Sequence, residues 1–184
     1  ISQFMGVTLH NCQLFLGVEE QARTDGLTRL HNHRSFHDGL TRELHRCRRY
    51  GHRLSLIMCD VDDFKAVNDT LGHQMGDRVI QLVAKLVRSY TRAEDLAARY
   101  GGDEFAVILP ETPLLGASVG AERIRERVAT YEFDREGVSV PVRMSFGVAQ
   151  LVPGMGPGDL VAAADRALYE AKTEGKNRIR QAGD

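Results

Sequence analysis

Apolar positions change their period several times along the chain, and each change predicts an element. Across residues 1 to 22, Phe4, Val7, Asn11, Leu14 and Val18 recur at spacings of three and four, the seam of an amphipathic helix. Asn11 sits where a polar residue sets register in coiled coils. Two readings of that helix stand side by side: a short coiled coil, or a helix packed on a neighbouring domain. Asp25-Gly26-Leu27-Thr28 breaks the pattern, and a second helix is predicted from Ser35 to Arg49, before the turn at Tyr50-Gly51. Arg53 to Val61 reads as a strand. Val79, Val83, Leu86 and Tyr90 mark a helix over residues 76–90, and Leu96 to Tyr100 with Phe105 to Leu109 form a hairpin around two glycines. A helix near Leu114 to Ala129, a strand from Val142 to Leu151, a helix near Asp159 to Thr173 and a short strand near Asn177 to Arg180 complete the series.

The middle six of these elements spell βαββαβ, the order of a ferredoxin-like, palm-type core in which the third strand lies between the first two. The runs Leu56-Ile57-Met58-Cys59 and Phe105-Ala106-Val107-Ile108-Leu109 are apolar on both alternating faces, so helices must cover the sheet on both sides. The expected class is therefore α/β in the α+β sense: a mostly antiparallel central sheet with helices on both faces, preceded by a signalling helix. In this order the first two strands run parallel. The end of the first strand then shares an edge with the turn of the hairpin, and Asp60 faces Asp103.

With 184 residues and 42% hydrophobic content, the chain suffices for one well-buried domain, and neither length nor composition suggests two full domains. A net charge of −1 argues against a general nucleic-acid or membrane-surface binder. The chain begins at Ile1, and the expectation is a piece of a longer protein: residues 1–22 a helical linker from an upstream sensor domain, residues 23–184 the domain itself. Cys12, Cys47 and Cys59 lack zinc spacing, and there is neither a signal peptide nor a run of eighteen apolar residues, which points to a reduced, cytoplasmic setting with no membrane segment in this stretch. Cys59, inside an apolar run, reads as a core residue.

Chemistry concentrates at the predicted edge. Asp60-Val61-Asp62-Asp63 leaves the first strand, and Gly101-Gly102-Asp103-Glu104 forms the hairpin turn. Carboxylates converging from two elements suit Mg²⁺ when phosphates and water fill its other positions. Two such ions can activate an attacking hydroxyl and stabilise a pyrophosphate leaving group. Taken singly, Asp62, Asp63 and Asp69 read as caps of the following helix.

Several ordered motifs over residues 22 to 182 resemble the GGDEF-domain family of diguanylate cyclases. They are Asp25 to Asn32, where His33 follows in place of a commoner Arg; Asp60 to Asp69; Gly72-His73 with Gly76-Asp77; Gly101 to Phe105; and Asp165 to Lys172 with Gly175 to Arg178. The resemblance implies condensation of two GTP into cyclic di-GMP and two pyrophosphates, with two Mg²⁺ (or Mn²⁺) ions per site, across a homodimer. It assigns metal binding to Asp60, the Val61 carbonyl and Asp103, with Glu104 assisting. Asp103 is also the implied base for the 3′-hydroxyl. Gly101 and Gly102 let backbone approach the nucleotide, and Phe64 belongs to the same pocket. Lys65, Lys172 and Lys176 offset phosphate charge, and Asn68 and Asp77 read the guanine edge. Outside the resemblance, these lysines read as surface residues and Asn68 and Asp77 as helix caps.

Arg92-Ala93-Glu94-Asp95 ends six residues before Gly101, in the register of the family's inhibitory product site, with Arg123 as a secondary contact; a guanidinium can stack on guanine and fork to phosphate. As a bare pattern it is a surface ion pair. Two alternatives of other classes remain: a catalytically silent cyclic di-GMP receptor, and another palm-type nucleotidyl transferase. An intact Asp60, Asp103 and Lys172 set argues against the first, and the lack of a basic template groove against the second.

Overall fold

The computed structural model describes residues 23–131, 133–135 and 138–183; the predicted helix at 1–22 lies outside them. Five helices and seven strands follow in order: α1 His33–Tyr50, β1 Leu54–Val61, α2 Phe64–Leu71, α3 His73–Ser89, β2 Leu96–Arg99, β3 Glu104–Pro110, α4 Leu114–Ala129, β4 Phe133–Arg135, β5 Val138–Val140, β6 Met144–Gln150, α5 Pro157–Thr173 and β7 Ile179–Gln181. The main sheet has the order β2-β3-β1-β6-β7, antiparallel except for β6 with β7. The third strand of the βαββαβ core thus lies between the first two, as the element order predicts.

Alternation along β1 builds two cores. Ile57, Cys59 and Val61 face α3 and α4 with Phe105, Val107 and Phe146, whereas Leu54, Leu56 and Met58 face α1 and α5 with Ala106 and Ile108. Every residue of β1 is buried, as a strand covered on both faces requires. Cys59 is fully buried, as a core residue; desolvation pushes its thiol up, and the Sγ–H donates to the Phe105 carbonyl at 3.5 Å.

Local signals fix the helix ends. Asn32 Oδ1 accepts from Ser35 N at 3.0 Å at the start of α1, and Gly51, with φ 71°, ends it by donating to the Cys47 carbonyl at 2.8 Å. The placement of α5 depends on one glycine. A Cβ on Gly147 of β6 would lie 2.1 Å from the Ala164 carbonyl oxygen and 2.3 Å from Leu168 N, so only glycine lets the backbone of α5 lie on the sheet. One turn beyond Leu168, Lys172 is thereby held over the end of β1.

Two elements correct the sequence reading. The acidic stretch after β1 is not a loop: residues 64–71 form α2, and α3 starts at His73 rather than Gly76. A short hairpin, β4 with β5, precedes β6, where no element is expected. No helix among the described residues is long and apolar enough to cross a membrane.

Candidate active site

The predicted meeting of β1 with the glycine turn is present. Val61 N donates to the Asp103 carbonyl at 3.1 Å, and Asp60 pairs across the strands with Glu104. Asp60 faces Glu104 directly, with Asp103 beside it in the turn. Asp60 is 7% exposed, and Lys172 Nζ lies 2.8 Å from its Oδ2. Burial pushes the Asp60 carboxyl up to about 6; Lys172 opposes the shift, and the charges of Asp103 and Glu104 reinforce it. The charges of half-buried Asp103 and Glu104 therefore work against that of buried Asp60, with the Lys172 ammonium placed on it.

That repulsion is what a divalent cation would relieve. Among the described residues, no three His, Cys, Asp or Glu side chains are arranged to hold a metal by themselves. Two strand-end carboxylates, Glu104 and a backbone carbonyl nevertheless fit a Mg²⁺ ion that takes its remaining ligands from phosphate and water. Asp165 on α5, exposed yet close to Glu104, adds a fourth acid missed as a site residue in the sequence: partial desolvation and then the Glu104 charge push its carboxyl up.

Asp62 corrects the capping expectation. It is 9% exposed; Ser145 Oγ donates to Oδ1 at 2.7 Å and Asn177 N to Oδ2 at 2.9 Å. It ties β6 and the turn after α5 to the end of β1. Asp63, with φ 55°, stands at the N-cap of α2 without a side-chain cap bond, and its Oδ1 holds Lys176 Nζ at 2.5 Å. Lys172 and Lys176 thus reach the same edge, each on its own aspartate. Lys65 is exposed on the first turn of α2 and makes no ion pair among the described residues.

Asn68 and Asp77 are not caps either. Asn68 lies within α2 and Asp77 within α3, whose N-cap is Gly72. A Cβ on Gly76 would stand 1.9 Å from Asn68 Oδ1 and 3.2 Å from the Phe64 ring. Gly76 therefore makes room for Asn68 and Phe64 at the α2–α3 junction, with exposed Asp77 next in the chain. Beside α2 lies a hollow of about 620 Å³ lined by Asp62, Asp63, Val67, Leu71, Arg143 and Lys176 among others; it borders the edge without including Asp60, Asp103 or Glu104.

The glycine turn is held from outside. Arg99 Nη2 and Nε donate to the Gly102 carbonyl at 2.7 and 3.2 Å, while Nη1 reaches both Asp25 oxygens at 3.2 Å. Burial works against the Asp25 carboxylate, yet Thr28 and Arg99 hold it below its usual range. A Cβ on Gly101 would meet Glu104 Oε2 at 2.4 Å and displace that carboxylate, whereas Gly102 has open space around it. Arg99 and Asp25 were missed as site residues because they are 74 positions apart.

Arg92 and Asp95 meet differently from the surface ion pair the bare pattern suggests. Asp95 Oδ2 accepts from the backbone N of Arg92 at 2.7 Å, while the Arg92 side chain is exposed. Asp95 is 7% exposed, and its Oδ1 has no partner; burial pushes its carboxyl up, against the pull of Arg92. It lines a hollow of about 470 Å³ with Arg29, Lys85 and Arg88, whereas Arg123 lines a separate one of about 500 Å³ with Tyr90.

A family profile described as "Diguanylate cyclase, GGDEF domain" matches residues 22–178. The chain is 38% identical over 183 residues to Diguanylate cyclase A of Treponema denticola, covering 97% of this chain and 48% of that protein. It is 40% identical over 165 residues to Diguanylate cyclase VdcA of Vibrio cholerae, covering 88% and 48%. It spans about half the length of these curated relatives. Among solved structures, the GGDEF domain of DgcB from Caulobacter crescentus in complex with c-di-GMP superposes with a TM-score of 0.86 at 37% identity, over 89% of this chain and 94% of that one.

Proposed function

Because the chain belongs to the GGDEF-domain family of diguanylate cyclases, we propose that it condenses two GTP molecules into cyclic di-GMP with release of two pyrophosphates. The observation that carries this reading is the convergence of half-buried Asp103 and Glu104 on buried Asp60, with Lys172 placed on Asp60. Asp60, Asp103, Glu104 and the Val61 carbonyl would hold two Mg²⁺ or Mn²⁺ ions. When bound, these ions lower the pKa of the attacking 3′-hydroxyl and neutralise charge on the pyrophosphate leaving group.

Each side chain then has a role set by its position. Asp103, half-buried in a turn pinned by Arg99, accepts the 3′-hydroxyl proton. Lys172 and Lys176 exchange Asp60 and Asp63 for phosphate oxygens, and exposed Lys65 adds a third cation. Asp77 accepts from the guanine N1–H and amino group, a pair of donors that adenine does not present, and the Asn68 amide, fitted against Gly76, completes the edge. Phe64 fills the floor of that pocket beside Asn68, and Gly101 and Gly102 keep Cβ atoms off the nucleotide.

Each chain would supply one GTP, so closing two phosphodiester bonds requires a homodimer with the two edges facing. Arg92 and Asp95 form the proposed inhibitory product site, with Arg123, on a separate hollow, as its secondary contact. Supporting it are the exposed guanidinium of Arg92 and the unpartnered Oδ1 of Asp95. Residues 1–22 would relay a signal from an upstream sensor domain to a cytoplasmic cyclase. Chromatography of the products from GTP and Mg²⁺ tests the whole reading. Cyclic di-GMP is expected from the wild type and none from Asp103→Asn; equal synthesis by a folded Asp103→Asn sample would overturn it.

A further inference from the structure

His33 and His37 stand apart from the edge described above. They lie four residues apart on the first turns of α1, on one face of the helix. Their Nε2 atoms are 3.2 Å apart, and the rings meet edge to face with centroids 4.5 Å apart. The Tyr100 ring rests against both, at 4.8 and 5.8 Å, and Phe36 backs His37 at 5.2 Å. His33 is exposed and His37 half-buried. Two aromatic supports and an N···N contact thus fix both imidazoles with their Nε2 atoms converging at a solvent-accessible point. Burial, then the neighbouring His33, hold His37 below the usual imidazole range against the opposing charge of Asp38, so the ring is in its neutral, ligating form at neutral pH.

We propose that His33 and His37 form a two-imidazole binding site for a borderline divalent transition cation, Zn²⁺, Ni²⁺ or Cu²⁺, with water in its remaining positions. Metal–nitrogen bonds of about 2.0–2.1 Å place two adjacent ligand nitrogens about 2.9–3.4 Å apart, a range that contains the observed separation. In the metal-free protein one Nε2–H donates to the other Nε2. On binding, the donating ring shifts that proton to its Nδ1, both Nε2 lone pairs turn to the cation, and no proton is released. Imidazole nitrogen selects these ions, whereas oxygen ligands select Mg²⁺, so this site and the carboxylate edge would not compete for one metal. Two protein ligands, at the positive end of a helix dipole, make the site exchangeable rather than structural. Tyr100, one residue before Gly101, places the bound ion beside the glycine turn.

The test is Ni²⁺ titration calorimetry on the full, tag-free chain with Mg²⁺ in excess, together with Cu²⁺ electron paramagnetic resonance. The wild type is expected to bind Ni²⁺ at a site that His33→Gln and His37→Gln each weaken by about tenfold or more. The double variant should lose the site altogether, because each single variant still keeps one imidazole. The other histidines and the thiols are common to all variants, so any difference belongs to the pair. Cu²⁺ bound to the wild type should show two equatorial nitrogens that either substitution reduces to one. Wild-type Ni²⁺ affinity in either single variant, displacement of Ni²⁺ by Mg²⁺, or a Cu²⁺ spectrum unchanged by the substitutions would overturn the proposal.

Discussion

The end of β1 and the turn before β2 each bury one carboxylate to the same 7% exposure, and in both desolvation pushes the acid up. Their surroundings separate them. Asp60 meets an ammonium and two further acids, so its charge is contested by side chains that a ligand can recruit. Asp95 meets one backbone N–H and keeps an oxygen unpaired, so its charge shapes a turn and has spare acceptor capacity. Equal burial therefore does not mean equal work. A crowded acid is suited to chemistry, and an under-satisfied one to binding or to holding a turn.

The largest expected effect that would test this contrast is on turnover. Asp60→Asn should lower cyclic di-GMP synthesis by about 10²-fold or more, while Asp95→Asn leaves the first turnovers unchanged. Comparable losses in both, measured as initial rates from GTP, would erase the distinction.

Stability against pH comes next. The Asp60 carboxyl sits at about 6, above its unbound value of 3.8. Its contribution to stability is therefore fully present below about pH 4 and is lost as pH rises through about 6, a span of about 3 kcal/mol at most. In metal-free protein, Asp60→Asn should gain on the wild type by up to that amount between pH 4 and 7 in urea unfolding. A difference that stays flat with pH would mean that the edge is wetter than its geometry implies. Added Mg²⁺ should shrink the gain by restoring the wild type.

Base choice is a smaller effect of the same edge. Asp77→Ala removes a charged acceptor, worth about 1.5–3 kcal/mol, so the preference for GTP over ATP should narrow by about 10- to 100-fold. An unchanged ratio of kcat/KM values would remove Asp77 from the pocket. The smallest expected effect lies at the other carboxylate. Asp95→Asn keeps an acceptor for Arg92 N and removes a buried charge, so the Tm at pH 7 should rise by the equivalent of less than about 1 kcal/mol. Paired with Arg92→Ala, it should also weaken cyclic di-GMP binding in calorimetry. Full affinity in that double variant would leave Asp95 a turn residue only.

Much of this was legible in the sequence because the strands are covered on both faces and the longer helices carry strong apolar periods. The strand order followed from βαββαβ, and with it the approach of Asp60 to the glycine turn. Helix α2 escaped notice because none of its residues is fully buried and its Asp and Asn content mimics a loop. Strands β4 and β5, at three residues each, are too short for a period to register. Asp62 read as a cap because its partners, Ser145 and Asn177, are 83 and 115 positions away. Spacing within a motif reveals neighbours on one element; it says nothing of which distant backbone N–H a carboxylate will find.

The clamp from Asp25 through Arg99 to the Gly102 carbonyl also decides where the chain can be cut. A truncation that began at α1 would look complete by secondary structure, yet it would leave the Arg99 guanidinium, whose side chain is 19% exposed, without its counter-ion. The backbone carbonyl of Arg23 receives Ser35 Oγ and Asn32 N, so even the N-terminus of α1 is anchored upstream of itself. A unit that starts after Arg23 would lack the acceptor of both of these hydrogen bonds. Any fusion, circular permutation or domain swap joined inside residues 23–32 would detach the hinge on which the glycine turn is mounted, without touching the turn itself.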